Sequence, residues 1–403
     1  MTAQRLHSLF GAHTATSSPP KRLSVSGRRL LLPDGSPWYG IGMDGFTTLQ
    51  DWLTNKPKAD ALIAYMVAHQ VEFLRVFGMY NGGIGRFIPA ENPDYFDGLK
   101  ALATILRDKG KRLYFTTNAD CQNAPLTFDP SFYDRVCDVL RPFADSVLSD
   151  FGNEWPFNGF DPKRGHKPAG LISGAGSVGG GYQPLHDPLW DFAQWQGGRD
   201  DDFERKYKDV RDQYMGDNTT GNPGDPPAFA FQCPIIEDET IGLGEAYESG
   251  RTTNSPYKVW QYVAGSKLMG AAATVLHNRS GIFGNLPLAG GLEEQCLDAG
   301  VAASQLPLGR NAFARYERGN SPDQPQNPNL PILHFDIEPS PSIGYPGNPN
   351  GSLRTHAMID GNYAEVIAPG AGPGYVATAA NGWRIVKSYG LPGHPANVLI
   401  CER

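Results

Sequence analysis

Between Trp38 and Val275 the sequence repeats one alternation: a short apolar run, then an amphipathic stretch at helical spacing, then another apolar run. Eight such runs can be counted. They are Trp38–Met43 closing on Asp44, "EFLRVFGMYNGG", "KRLYFTTNAD", "SVLSDFGNEW", "AGLISGAG", "WDFAQWQGG", "CPIIEDETIG" and "AAATVLHNRSG". Their residues are apolar without alternation, so both faces of each strand are buried. That is the mark of a parallel sheet covered by helices. Helical periods fall between them, as in "KADALIAYMVAHQ", "PDYFDGLKALATILRDKG", "DPSFYDRVCDVLRPFAD", "DDFERKYKDVRDQYMG" and "SPYKVWQYVAGSKLMG", with "GLEEQCLDAGVAASQ" after the eighth. Eight parallel strands close a (β/α)8 barrel. Residues 156–188 are Gly-rich and carry no helical period, so the fourth and fifth helices are expected to be very short or replaced by loops.

The ends of the chain have a different texture. Residues 1–29 begin with a Ser/Thr/Pro-containing stretch that reads as a mobile arm. It has no apolar core of the kind a secretory signal needs, so the expected settings are the cytoplasm, a virion, or a mature secreted form. Two short strands are expected around Pro33-Asp34-Gly35, a hairpin signal. The barrel is expected over 30–307. From about Leu308 to 403, short alternating strands separated by Gly, Pro and Asn turns predict an all-β, sandwich-like module, with "GNSPDQPQNPN" as its polar entrance.

Composition narrows the partners. A net charge of −7 without a basic run argues against nucleic acid, and no apolar run reaches the roughly 20 residues of a membrane span. Five scattered cysteines without a C-x-x-C pair fit neither a disulfide framework nor a zinc knuckle. No His/Cys/carboxylate cluster has metal-ligand spacing, so no catalytic metal and no other cofactor is expected.

In a closed parallel barrel, working residues gather at the C-terminal ends of the strands. Those ends offer Asp44; Tyr80 and Asn81; Asn118 and Asp120; Asn153, Glu154 and Trp155; Trp195, Gln196 and Arg199; Glu237, Asp238 and Glu239; and His277 with Asn278. Carboxylates on opposed strands among Trp, Tyr, Asn and His suit sugar chemistry. One carboxylic acid can protonate a glycosidic oxygen while a carboxylate attacks or activates water, and aromatic faces stack on pyranose rings. Arg75 stands out for another reason. It lies mid-strand between Leu74 and Val76, where an unpaired charge would be costly, so it needs a carboxylate partner.

Strand four ending in "GNEW" and strand seven reading "PIIEDETIGLGE" resemble the cellulase-type clan of retaining (β/α)8 glycoside hydrolases. The resemblance runs from about Leu30 to Leu306. It implies that Glu154 is the acid/base and Glu239 the nucleophile, with Pro234 opening the seventh strand as it often does in that clan. It also implies that Arg75 keeps the nucleophile ionised, that Asn153 contacts the sugar 2-hydroxyl, and that His277 lines the site. Trp155 stands where the clan usually has Pro, and the strand-eight Trp platform is absent, which leaves the sugar open. Glu237 and Glu245 remain alternatives for the nucleophile.

The expected function is therefore a retaining glycosidase acting on a β-linked oligo- or polysaccharide. Glu154 and Glu239 are its catalytic pair, and Arg75, Asn153, Trp155, Trp195, Asn118, Asp44, Tyr80 and His277 its substrate-binding candidates. The alternative is a catalytically silent barrel serving as a glycan-binding or structural module, for example in a phage particle or surface assembly.

Overall fold

The computed structural model describes residues 18–119, 130–153, 165–176, 190–195, 210–212, 214, 232–243, 254–310, 312–319, 327–333, 355–368 and 376–403. The helix expected after strand six lies largely outside these residues, as does most of the Gly-rich segment 156–188.

The described chain opens with an antiparallel hairpin of β1 (Ser24–Ser26) and β2 (Arg29–Leu31). Its turn is at Gly27-Arg28, where Gly27 has φ +54°. The Pro33-Asp34-Gly35 turn closes only a single bridge, Leu31 to Pro37. Pro33 and Pro37 both lack the amide donor that a second ladder would need.

All eight expected barrel strands are present, in order. They are β3 (Gly40–Asp44), β4 (Phe73–Phe77), then, after a small hairpin of β5 (Tyr80–Gly82) and β6 (Gly85–Phe87), β7 (Arg112–Asn118) and β8 (Val147–Gly152). β9 (Ile172–Ala175), β10 (Phe192–Trp195), β11 (Ile235–Gly242) and β12 (Ala273–His277) complete the set. Each pairs in parallel with its neighbour, and β12 returns to β3 through Ala273 opposite Gly40, which closes the barrel. Trp38, Phe73, Tyr114, Leu148, Phe192 and Ile236 pack together as a cluster separate from the main core. Phe73 lies so close to β3 that a Cβ at Gly42 would sit 2.1 Å from its ring, so only glycine fits. Trp38 donates its indole N–H to Glu72 at 2.8 Å.

The outer layer comprises α1 (Thr48–Thr54), α2 (Lys56–Ala68), α3 (Tyr95–Asp108), α4 (Pro130–Leu140), α5 (Pro256–Met269), α6 (Arg279–Ile282) and α7 (Leu292–Ser304). α3 buries Tyr95, Leu99, Leu102, Ala103 and Leu106, a single stripe at helical spacing. α5 begins at Ser255, whose side chain accepts from the Lys258 amide, and stops at Gly270 in the left-handed region.

After the barrel comes one antiparallel sheet: β13 (Arg315–Arg318), β14 (His356–Asp360), β15 (Tyr363–Ile367), β16 (Arg384–Tyr389) and β17 (Val398–Glu402), in the order β13-β14-β15-β17-β16. Met358, Ile367, Val398 and Ile400 join the core shared with the barrel and its helices. Trp260 and Tyr257 of α5 reach Asn397 at 3.4 Å and stack on His394 at 4.2 Å. The sheet thus covers the outer face of α5, which is why α5 is buried almost all round. Ala357, Val366 and Leu399 pack instead with Leu330, Ile332 and Trp383. Among the described residues the second layer of the expected sandwich is a single bridge, Ile332 to Ala379. β13 was not read from the sequence, because "RYER" has the charged texture of an edge strand rather than an apolar run.

Outside the barrel, α2 and α7 are joined by an ionic contact. His69 donates from Nδ1 to Asp298 at 2.7 Å and stacks on Tyr65, with Glu294 3.6 Å from its other nitrogen. Burial lowers the His69 pKa, but Asp298 and Glu294 outweigh it and hold the pKa above the ordinary value. A raised histidine pKa stabilises the fold fully below the unfolded value of about 6.5, and that contribution fades as pH rises through the folded pKa. We expect the melting temperature of the protein to decline over this window, and His69→Gln to flatten the decline relative to wild type. Parallel curves for the two proteins would show that this contact is not linked to stability.

Candidate active site

The charged centre of the barrel is Arg75 on β4. Its side chain is fully buried, and its guanidinium lies 5.1–5.8 Å from the ring centroids of Phe46, Phe77 and Tyr114. It makes the carboxylate contacts that its position demanded. Nη1 donates to Glu239 Oε1, and Nη2 contacts Asp238 Oδ2 at 2.8 Å and donates to Asn153 Oδ1 at 2.9 Å. Burial alone would lower the Arg75 pKa, but Asp238 and Glu239 hold it above its ordinary value.

Glu239 reaches Arg75 through an irregularity in β11. The register with β12 shifts between Glu237 and Ile241, and Glu239 has φ +54°. A non-glycine residue in the left-handed region is strained, and a bulge re-aims the side chains beyond it. Regular alternation would put Glu237 and Glu239 on one face and Asp238 on the other. Instead Asp238 and Glu239 both meet Arg75. Glu237 accepts from Tyr262 of α5 at 2.7 Å and from Thr274 of β12 at 2.8 Å, on the helix side of the barrel wall.

The far oxygen of Glu239 lies 3.5 Å from His277 Nδ1, which also contacts Asp44 Oδ2 at 2.6 Å. Burial pushes the Asp44 pKa up against the opposing pull of His277. Asp44 is fixed further by its backbone amide, which donates to Asn278 Oδ1 at 2.8 Å. Asp44, Glu239 and His277 bring their ligand atoms within 4.8 Å of one another, so these three could hold a cation. In this arrangement the Asp44–His277 contact and Arg75 already engage them.

On the opposite wall, Asn153 follows β8, and its amide N–H donates to the Asn118 carbonyl at 2.7 Å. Asn118 returns a side-chain bond to the Phe151 carbonyl at 2.9 Å, so it ties β7 to β8. Gly176 packs so tightly here that a Cβ would sit 1.9 Å from the Gly152 carbonyl oxygen, which holds the end of β8 in place.

Of the residues singled out in the sequence, the fold brings Asp44, Arg75, Asn153, Glu239 and His277 into one contact network, with Asn118 one bond behind. Tyr80 donates to Gln50 at 2.5 Å and packs on Phe87, and the Trp195 ring is buried in the main core. Glu154, Trp155 and Glu245 lie outside the described residues.

Three members of the network were not singled out: Asp150 of β8, Gln194 of β10 and Tyr114 of β7. Gln194 donates to Tyr114 Oη and lies 3.2 Å from Asp238 Oδ2. Asp150 accepts from the Gly152 amide at 3.1 Å. Burial pushes the Asp150 carboxyl up to about 6, with Arg75 pulling it back. Burial, reinforced by Glu239, Asp150 and Asp44, drives Asp238 well above the carboxylate range despite Arg75. Asp150 and Gln194 carried the same signal as Arg75, a polar group in the middle of a buried apolar strand.

No protein-family description matches the sequence, and neither does any curated protein. Solved structures do. One, a glycoside hydrolase, is similar with a TM-score of 0.52 at 14% identity, over 95% of this chain and 97% of the other. Another, a glycoside hydrolase family 5 protein from Bacteroides vulgatus, has a TM-score of 0.57 at 13% identity, over 94% and 93%. At such identities the likeness is one of fold, and the chain has the barrel architecture, with its trailing β-sheet, found in these glycoside hydrolases.

Proposed function

We propose that this protein is a retaining glycoside hydrolase acting on a β-linked oligo- or polysaccharide, with Glu239 as nucleophile and Glu154 as acid/base. The observation that carries this reading is the buried Arg75–Glu239 contact at a bulged strand end, which holds a strained carboxylate next to a cation. Backbone strain of this kind clusters at functional sites.

The reaction would proceed in two steps. A Glu239 oxygen bonds to the anomeric carbon as the glycosidic C–O bond breaks, and the Glu154 proton passes to the leaving oxygen. Water then attacks the same carbon and gives its proton to Glu154, and the bond to Glu239 breaks. Arg75 supports the ionised nucleophile. Asn153, oriented by Arg75, would meet the 2-hydroxyl beside it.

The test is to screen aryl β-glycosides and then trap the intermediate with a slow-turnover fluorinated analogue of any sugar that is cleaved. The expected result is a single glycosyl adduct, mapped by mass spectrometry to the peptide containing Glu239 and absent from Glu239→Gln. An adduct on Glu245 would move the nucleophile there. Binding of glycans without cleavage of any substrate would favour the silent barrel.

A further inference from the structure

Trp38 and Tyr39 lead into β3 and Ala272 leads into β12, so they mark the N-terminal end of the barrel. Glu239 and His277 belong to the opposite end. At the N-terminal end the opening hairpin, the last turn of α5 and the chain leaving α7 enclose a cavity of about 40 Å3 that opens to solvent. One water needs about 10–15 Å3 of such space, so there is room for about three waters or one small ion.

Three cationic side chains line this cavity, Arg28, Arg29 and Lys267, with Trp38, Tyr39 and Phe313 among its apolar walls. Successive strand residues point to opposite faces. Arg28 sits in the hairpin turn instead, so both guanidiniums converge on one ring, 5.7 and 5.1 Å from the centroid of Phe313. Like charges gathered on one ring repel, and a nearby anion would relieve them. Among the described residues Arg29 and Lys267 form no ion pair. Arg29 donates to the Arg310 carbonyl at 2.9 Å. Lys267 donates to the Ser304 carbonyl at 2.5 Å and the Leu306 carbonyl at 2.7 Å, with the Tyr39 ring 5.4 Å away. Carbonyls satisfy the hydrogens of a cation without matching its charge. Burial pushes the Lys267 amine down to about 8, and Glu72 and Glu365 pull it back only in part.

We propose that this cavity binds a small, doubly charged tetrahedral oxyanion, phosphate or sulfate, either free or as the end group of an organic molecule. Guanidinium and ammonium groups only donate, which suits a ligand whose oxygens accept. The cavity has room for the anionic group alone, so an organic remainder would sit in its mouth, where Phe313 is 36% exposed. Bound there, the anion would join three segments distant in sequence: the opening hairpin, the end of α5 and the stretch from Leu308 to Phe313 that leads to the β-sheet. It would act as a clip on the fold, independently of the reading of Glu239.

Titration calorimetry of the full chain with inorganic phosphate and with sulfate, at fixed ionic strength, should reveal one saturable site per chain. The melting temperature should rise and level off as that site fills. At high concentration both salts stabilise proteins generally, through exclusion from the surface, so the variants carry the decision. Arg29→Gln and Lys267→Met should each weaken binding by about tenfold or more, the loss of one charge-assisted bond. Arg384→Gln, on the edge strand β16 and paired with Glu402, should bind as the wild type does. If Lys267→Met does not fold, Arg29→Gln on the half-buried hairpin decides alone. A hexose phosphate separates the two sources. Tighter binding than inorganic phosphate assigns the site to an organic ligand, and equal or weaker binding assigns it to the free ion. No saturable binding of either anion, or equal affinity in wild type and Arg29→Gln, would overturn the proposal. None of these measurements requires a glycoside to be cleaved, so their outcome and that of the proposed function are read separately.

Discussion

With Glu239 as the proposed nucleophile, Glu239→Gln should lower turnover of every substrate by several orders of magnitude, because it keeps the shape of the side chain and removes the attacking charge. Glu154→Gln should behave differently. On the proposed mechanism it removes the proton donor, so it should be severe for a sugar leaving group and mild for an activated phenol, since acid help matters in proportion to leaving-group basicity. Steady-state kinetics on a leaving-group series would separate the two. Added azide sharpens the distinction. In Glu154→Ala it replaces the water that needs a base and gives a β-glycosyl azide. In Glu239→Ala it attacks from the vacated face and gives the inverted product. Equal losses regardless of leaving group, with no azide product from either variant, would rule out the two-step mechanism.

The second large effect is expected at Arg75. Its side chain is fully buried and holds Glu239, Asp238 and Asn153 at once. Arg75→Met keeps most of the volume, leaves Glu239 without its cation, and leaves Asp238, already pushed toward its protonated form by burial, without its Nη2 contact. Removing one partner of a buried ion pair costs about 3–5 kcal/mol, part of which the carboxyls can recover by taking up protons. The loss should therefore be smaller in acid than at pH 8. Adding Asp238→Asn to Arg75→Met should restore stability, because one of the stranded groups is gone. Arg75→Lys keeps the charge but not the fork, since an ammonium cannot meet Glu239 and Asp238 with two fixed nitrogens. It should lose less stability than Met and still lose activity. Chemical denaturation of the four proteins at two pH values checks all of this, and a Met variant as stable as wild type at pH 8 would contradict it.

The barrel was legible because two-sided burial leaves a plain mark: runs such as "FLRVF" and "ATVLH" have no polar face. Arg75 was legible because it interrupts such a run. Asp150 and Gln194 interrupt theirs in the same way, but each sits below the end of its strand, where attention to terminal residues passes over it. The arrangement of Glu237, Asp238 and Glu239 could not be read at all. "IIEDETIG" looks like a regular strand, and nothing in it announces that a residue without glycine's freedom will turn through φ +54°. β13 escaped for the opposite reason. An edge strand pairs on one side only, and its charges look like those of a loop. Glu154 and Trp155 rest on the sequence resemblance alone.

The left-handed backbone at Glu239 bears on how a barrel like this one could change over generations. A left-handed residue other than glycine is disfavoured by about 1–2 kcal/mol, and here it brings a further carboxyl into a buried centre that also holds Asp44, Asp150 and Asp238. Glycine at this position would relax the chain, remove a negative charge, and leave Arg75 still paired with Asp238. If Glu239 is the proposed nucleophile, the mutation that removed it would thus yield the sturdier protein. On that reading, thermodynamic drift alone runs from enzyme toward inert scaffold, and selection for turnover is what would hold a glutamate in so uncomfortable a seat.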